Sequence, residues 1–197
     1  MSDRQRPYPM YWLVRALAWW TMHTFLCLSV HNRQRVPTEG GLIVVCNHIS
    51  NIDPVLLGIA TPRLLRYMAK AELFQNRWLG TFLRSLGAFP IRRGGSDRGA
   101  IRKALSITAT GGCLAIFPEG HRSKDGKLGQ GMTGAAFLAR RAGCVVVPAA
   151  ISGHYRLFQR VTVRFGEPIQ PTVDVSNEEF MGILMDHIAE LLQENTK

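Results

Sequence analysis

The chain has 197 residues, enough for one domain with a substantial core and too few for two ordinary domains. Hydrophobic residues make up 46% of it and charged residues 19%, which excludes a disordered chain. The net charge of +10 lies mostly between residues 63 and 103, where ten basic residues face only Glu72 and Asp97. It indicates an anionic partner, such as a phospholipid headgroup, a phosphorylated substrate, an acidic carrier or a nucleic acid.

Residues 11–30 form an apolar stretch, rich in tryptophan and leucine, that predicts a helix. Its length just reaches that of a bilayer-spanning helix, but Arg15 would cost about 2.5–3.5 kcal/mol at the bilayer centre. Trp12, Trp19 and Trp20 suit a membrane interface. An interfacial or shallowly inserted helix is therefore favoured over a spanning helix and over a buried core helix. The predicted organisation is a membrane-associated helix with a basic linker over residues 1–34 and one domain over residues 35–197.

Apolar runs alternate with helical patterns after the linker. The predicted strands cover residues 41–46, 65–69, 88–91, 113–117, 144–149 and 161–165, and the predicted helices cover residues 54–60, 71–86, 97–110 and 133–141. Ser176 and Glu179 have the spacing of a capping box, which predicts the start of a final helix. This order implies an α/β fold with a largely parallel central sheet and helices on both faces.

The cysteines predict no disulfide and no metal site. They are widely spaced, without a pair at metal-binding spacing, and three of the four lie in predicted strands, which favours buried free thiols in a reducing compartment. The four are Cys27, Cys46, Cys113 and Cys144.

Three of the predicted strands end in clusters of polar or charged residues. The clusters are residues 47–53, residues 92–95 and residues 118–123. Ligands of open α/β sheets bind at the carboxyl ends of the strands, so parallel strands would bring the three clusters to one rim.

His48 and Asp53 in the first cluster have two interpretations. Asp53 followed by Pro54 is typical of a helix start, in which case Asp53 is only a cap and His48 only a loop residue. Alternatively, Asp53 orients the His48 imidazole, whose free nitrogen then takes a proton from an attacking hydroxyl group. A covalent intermediate on Ser50, Ser123 or Cys46 is disfavoured because no nucleophile-elbow pattern is present.

The other two clusters suggest an anion site. Arg92, Arg93 and Arg122 follow strands, and arginine offers a planar fork for phosphate where neighbouring glycines let backbone amides approach. Lys70 follows another strand and adds a positive charge, although each of these residues alone is compatible with a solvated loop. Glu119 fits either a structural ion pair or an acceptor for Arg122 or a substrate hydroxyl.

Taken in order, these motifs resemble those of the lysophosphatidic acid acyltransferase family, the glycerophospholipid acyltransferases with an HxxxxD motif. That motif reads NHISNID at 47–53, and a glycine followed six residues later by arginine matches GAFPIRR at 87–93. FPEGHRS at 117–123 resembles the family's FPEGTRS, and VVVPAAI at 145–151 resembles its fourth block. The resemblance covers about residues 35–170.

The resemblance implies that a fatty acyl group is transferred from acyl-CoA or acyl-carrier protein to a lysophospholipid, without a cofactor. His48 would be the base and Asp53 its orienting partner, while the phosphate-binding roles would fall to Lys70, Arg93, Glu119, Gly120 and Arg122. The favoured acceptor is 1-acylglycerol 3-phosphate, which would make the product phosphatidic acid. The implied location is the cytoplasmic face of a membrane, the inner membrane in a bacterium.

One departure from the family pattern keeps other acceptors open. His121 stands where threonine is usual, so a lyso-aminolipid or glycerol 3-phosphate remains an alternative acceptor. A basic membrane-binding or nucleic-acid-binding module without catalysis is a further alternative, which leaves the ordered motifs unexplained. No nucleic-acid partner is therefore expected.

Overall fold

The computed structural model describes residues 9–92, 97–172 and 174–194. Its helices are α1 (Pro9–Phe25), α2 (Asp53–Ala60), α3 (Arg77–Ser85), α4 (Arg98–Ala109), α5 (Gly134–Ala142) and α6 (Asn177–Glu194). Its strands are β1 (Ser29–His31), β2 (Leu42–Cys46), β3 (Leu65–Lys70), β4 (Ala88–Ile91), β5 (Cys113–Ile116), β6 (Val145–Gly153) and β7 (Val161–Phe165). Short 3-10 turns cover Arg33–Arg35 and Ala71–Phe74.

Seven strands of the described residues form one sheet in the order β1-β7-β6-β2-β5-β3-β4. Every neighbouring pair is parallel except β6 and β7, which run antiparallel. The predicted α/β class with a largely parallel sheet is therefore confirmed, and the sheet is mixed because β1 and β7 run opposite to the other five strands.

Helices cover both faces of the sheet because its central strands are apolar on both sides. All five residues of β2 are buried. Val44 and Cys46 pack into a cluster that contains Leu56 and Leu57 of α2. Ile43 and Val45 belong instead to a cluster with residues of α4, α5 and α6. A strand buried on both faces reads as a continuous hydrophobic run, as this one does.

Helix α1 lies on the same face as α2 and packs against it. Ala18 and Met22 contact the hydrophobic cluster that contains α2, and the Tyr11 side chain is buried. The opposite side of α1 exposes a set of large apolar side chains: Trp12, Leu13, Leu17, Trp19 and Trp20. Among the described residues, no helix is both long and apolar enough to cross a bilayer.

Arg15 does not face outward from α1. Its guanidinium Nη1 donates to the Gly58 carbonyl at 2.6 Å, and Nη2 donates to the Ile59 and Thr61 carbonyls at 3.3 and 2.6 Å. These are the carbonyl groups left without helical partners at the end of α2, where a cation is favourable. Arg15 thus joins α1 to the helix that begins with Asp53.

Several element ends differ from the sequence predictions. Strand β1 lies where the sequence predicted the end of the apolar stretch and the start of the linker. Strand β6 runs to Gly153, beyond the predicted end at residue 149. Ser176 does accept a hydrogen bond from the Glu179 amide at 3.0 Å, as predicted for the start of α6. The division of the chain between residues 34 and 35 stays a prediction.

Candidate active site

The predicted polar clusters follow neighbouring parallel strands. His48 follows β2, Glu119 follows β5 and Lys70 ends β3, and these strands are adjacent in the order β2-β5-β3. Because parallel strands end at the same edge, the three residues lie along one rim of the sheet. This rim is the candidate active site.

His48 and Asp53 are in direct contact. The His48 Nδ1 atom lies 2.7 Å from Asp53 Oδ2, and the side chains of His48 and Asp53 are 12% and 0% exposed. Since the carboxylate accepts, Nδ1 donates, which leaves the Nε2 atom as the basic nitrogen. Within the described residues Nε2 has no hydrogen-bond partner.

The position of the ring is fixed further by its neighbours. The His48 imidazole stacks on the Phe117 ring with centroids 4.2 Å apart and an interplanar angle of 23°. The preceding residue, Asn47, is buried, and its amide group bonds both the N–H and the C=O of Ile151 at 2.8 and 2.9 Å. The end of β2 is thereby tied to β6, and the imidazole has little freedom to move.

The Asp53 carboxylate accepts several hydrogen bonds and does not cap the helix. Its Oδ2 atom accepts from the Ile49 and Ser50 amides at 2.6 and 2.7 Å. No side chain caps the start of α2, whose preceding residue is Ile52. Of the two interpretations, the one in which Asp53 caps α2 is therefore wrong, because its carboxylate turns back to the loop between His48 and the helix.

Tyr155 is a site residue that the sequence did not indicate. It lies in the loop between β6 and β7, and its hydroxyl group donates to Asp53 Oδ1. Burial, and then the neighbouring Asp53 charge, raise the pKa of Tyr155 well above its usual value, so the hydroxyl keeps its proton. A tyrosine 102 residues away in sequence carries no local signal that would have identified it.

Glu119 supports the backbone of the site. It is 2% exposed, its Oε1 atom accepts from the His48 amide at 2.8 Å, and its Oε2 atom accepts from the Gly129 amide at 3.0 Å. The His48 carbonyl in turn accepts from the Ser123 amide at 2.7 Å. With both oxygens engaged by amides, Glu119 holds the loops of the site in position. Its predicted part in phosphate binding stays a prediction.

The predicted anion-binding residues Lys70 and Arg122 are exposed to solvent. The Arg122 side chain is exposed, and Lys70 lies 3.4 Å from Glu72 at the end of β3. Gly120 has a φ of +70°, and a Cβ atom there would lie 2.7 Å from the Met132 side chain. Arg93 lies outside the described residues, so its predicted role has no structural account.

His121, the departure from the family pattern, does not reach the His48–Asp53 pair. Its side chain is exposed, and its Nδ1 atom lies 3.3 Å from the Arg122 carbonyl oxygen. Any effect of His121 on the choice of acceptor would therefore be exerted at the solvent-exposed side of the rim.

The thiol near the site is unsuited to form an acyl-enzyme. Cys46 is fully buried, and its pKa is raised well above the usual value by burial and then by the charges of Asp53 and Glu119. The thiol is therefore held protonated, whereas the thiolate is the nucleophile. Cys113 and Cys144 are also free and buried, whereas Cys27 is free and exposed.

Residues 27–152 match the sequence pattern of the acyltransferase family. The chain belongs to this family, and the matched region contains the His48–Asp53 pair. Two relatives are named 1-acyl-sn-glycerol-3-phosphate acyltransferase. The Bacillus subtilis protein is 34% identical over 149 residues, which cover 72% of this chain and 73% of the relative. The Streptococcus pneumoniae protein is 34% identical over 147 residues, which cover 71% and 54%.

A solved structure supports the fold. The crystal structure of the 1-acyl-sn-glycerophosphate acyltransferase PlsC from Thermotoga maritima superposes with a TM-score of 0.77 at 23% identity. The match covers 93% of this chain and 79% of the other. At this identity the likeness is one of fold.

Proposed function

We propose that this chain transfers a fatty acyl group from acyl-CoA or acyl-carrier protein to the free hydroxyl group of 1-acylglycerol 3-phosphate, forming phosphatidic acid. The observation that carries the proposal is the 2.7 Å contact between His48 and Asp53 at the end of β2, with Nε2 open to a substrate. Membership of the acyltransferase family and the names of the relatives support the choice of reaction and acceptor.

In the proposed reaction His48 is the general base. The acceptor hydroxyl gives its proton to His48 Nε2 as its oxygen attacks the thioester carbonyl carbon. The carbon–sulfur bond then breaks, and the thiolate takes the proton from His48. Asp53 holds the Nδ1 proton throughout, which sets the tautomer and stabilises the charged imidazole. General-base action of this kind contributes roughly 10²–10⁴-fold.

The arrangement around the pair supports this role. Four donors converge on Asp53, from His48, Ile49, Ser50 and Tyr155. A carboxylate held so closely keeps the imidazole in one orientation, and preorganised groups do not have to rearrange during the reaction. Positioning of both substrates against such a base supplies up to ~7–11 kcal/mol of the barrier reduction.

The acceptor phosphate is proposed to meet the basic side chains of the rim. Lys70 and Arg122 are exposed there, and Arg93 is assigned to the same role from the sequence motif alone. Gly120, next to Glu119, is assigned to this role from the sequence motif, and its missing side chain makes room for the side chain of Met132. The same positive charge suits the anionic acyl donor.

We also propose that the exposed apolar side of α1 lies in a membrane interface. The helix has 17 residues and is therefore about 25 Å long, and its outer side carries three tryptophans. Because Arg15 anchors the inner side to α2, the helix is expected to lie along the bilayer surface.

The proposal is tested by an acyl-transfer assay with purified protein, both donor types and a panel of acceptors. His48→Ala should lower turnover by at least about 100-fold while the protein remains folded. His187→Ala is the matched control, since His187 lies on α6 and pairs with Glu190 at 3.3 Å. Substantial turnover by His48→Ala would refute the mechanism, and a preference for another acceptor would refute the assigned product.

A further inference from the structure

We propose that the β6–β7 loop, residues 154–160, inserts into the lipid surface beside α1. Leu157 and Phe158 would enter the headgroup region of an anionic bilayer. This inference rests on the proposed function, and it specifies how the site meets an acceptor that is itself a membrane lipid.

The loop presents apolar side chains to solvent at its tip. Residues 156–160 are all exposed, and Leu157 and Phe158 are 66% and 72% exposed. Phe158 has a φ of +61°, a conformation that side-chain-bearing residues rarely adopt. Its amide donates to the Phe25 carbonyl at 2.7 Å, so the end of α1 holds this exposed conformation in place.

The charge around the tip complements an anionic surface. Arg156 and Arg160 flank the two apolar residues, and no acidic residue occurs between positions 154 and 166. Neither arginine has an ion-pair partner within the part of the chain that the structure describes. Apolar side chains between basic ones are typical of segments that bind anionic lipid.

The tip continues the apolar surface of α1. The Phe158 ring centroid lies 6.5 Å from that of Phe25, which lies 6.4 Å from that of Trp20. An exposed apolar tip that extends an exposed aromatic helix face and is flanked by two arginines fits an anionic fluid interface, whereas a folded protein would need a matching recess. A bilayer is therefore favoured over a carrier protein as the occupant.

The loop also contacts the catalytic pair. Tyr155 precedes the exposed tip by one residue, and its hydroxyl group donates to Asp53 Oδ1. The tip and the rim that holds His48 are thus at the same end of the sheet. A lysolipid beside the inserted loop would present its hydroxyl group to His48 without leaving the bilayer.

The test compares vesicle binding of the full chain and of a Leu157→Ser, Phe158→Ser double variant. Flotation with phosphatidylcholine vesicles that contain phosphatidylglycerol should show at least about a tenfold weaker partition coefficient for the variant. The matched control is Phe137→Ser with Ile183→Ser, which removes exposed apolar side chains from α5 and α6 on the other face of the sheet. The control should bind within about twofold of the original protein.

A charge variant tests whether the two arginines contribute to binding of anionic lipid. Arg156→Gln with Arg160→Gln should weaken binding about fivefold per arginine on the anionic vesicles and much less on pure phosphatidylcholine. Equal losses on both kinds of vesicle would contradict the role of charge.

Activity measurements separate the possible occupants. The Leu157→Ser, Phe158→Ser variant should lose activity on acceptor embedded in vesicles and keep activity on a short-chain acceptor dissolved as monomers. Unchanged vesicle binding by this variant would overturn the proposal. In that case a raised KM for the acyl donor would identify the loop as a donor-docking surface, and the loss of a dimer in sedimentation velocity would identify it as an interface between two copies of the chain. If no protein form transferred acyl groups but the binding difference remained, the proposed function would fail and the assignment of the loop would stand.

Discussion

Replacement of Tyr155 by phenylalanine removes one hydroxyl group and keeps the aromatic ring. The lost group donates to Asp53 Oδ1, on a carboxylate whose side chain is fully buried. Hydrogen bonds to charged groups contribute about 1.5–3 kcal/mol. If most of this energy serves to hold Asp53 against the imidazole, kcat should fall about 10- to 100-fold, since 1.36 kcal/mol corresponds to a factor of ten.

The assay is steady-state acyl transfer with KM and kcat determined for both substrates. Both KM values should change little, because Tyr155 is assigned a positioning role through Asp53. The control is a double-mutant cycle with Asp53→Asn, in which adding Tyr155→Phe should change the remaining rate by less than about twofold. A single variant with kcat within twofold of the original protein, or losses that multiply in the double variant, would refute the reasoning.

Tyr155→Phe should also change how the free energy of unfolding depends on pH. Burial and the Asp53 charge raise the pKa of Tyr155 in the folded protein, whereas in the unfolded chain it lies near ~10. The protonated hydroxyl therefore stabilises the folded state below about pH 10, and this contribution is lost as the pH rises above that value. The difference in unfolding free energy between the original protein and Tyr155→Phe should shrink above about pH 10 and stay constant below it.

Two further substitutions test the supports of the site. Glu119→Gln should lower the free energy of unfolding by about 1–3 kcal/mol, measured by urea titration, because the new NH₂ group faces the amide of His48 or of Gly129. A midpoint unchanged from that of the original protein would contradict this account. Arg15→Met should cost about 1–3 kcal/mol in the same titration, since the carbonyls at the end of α2 lose a charged donor. Arg33→Met is the control. If both substitutions lowered the free energy of unfolding equally, the bonds from Arg15 to the α2 carbonyls would make no specific contribution to stability.

The parts of the fold that the sequence predicted are those with a local signal. The continuous apolar run of β2 and the polar residues after it predicted a buried strand that ends at a site, and His48 and Glu119 lie at that rim. Helix α5 ends at Ala142, one residue beyond the predicted end, and Gly143 with a φ of +59° follows it. Periodicity and turn residues are enough for such assignments because they act within a few residues.

The parts that the sequence did not predict depend on distant partners. Arg15 looked like a cost inside a membrane helix, but its acceptor carbonyls lie 43 to 46 residues further along the chain. Strand β1 has three residues and is defined by its pairing with β7. Asp53 carried the sequence mark of a helix cap, and only the folded loop shows that its carboxylate serves the Ile49 and Ser50 amides instead.

The bond between Arg15 and α2 has a consequence for how the chain can be shortened. The donor belongs to α1, and the acceptors lie at the far end of the helix that begins with Asp53. A catalytic domain produced without α1 would therefore have unpaired carbonyl groups at one end of α2 and an exposed apolar surface along the side of α2. The helix proposed to meet the membrane is also a structural part of the domain that holds the His48–Asp53 pair, and the two are expected to unfold in a single transition.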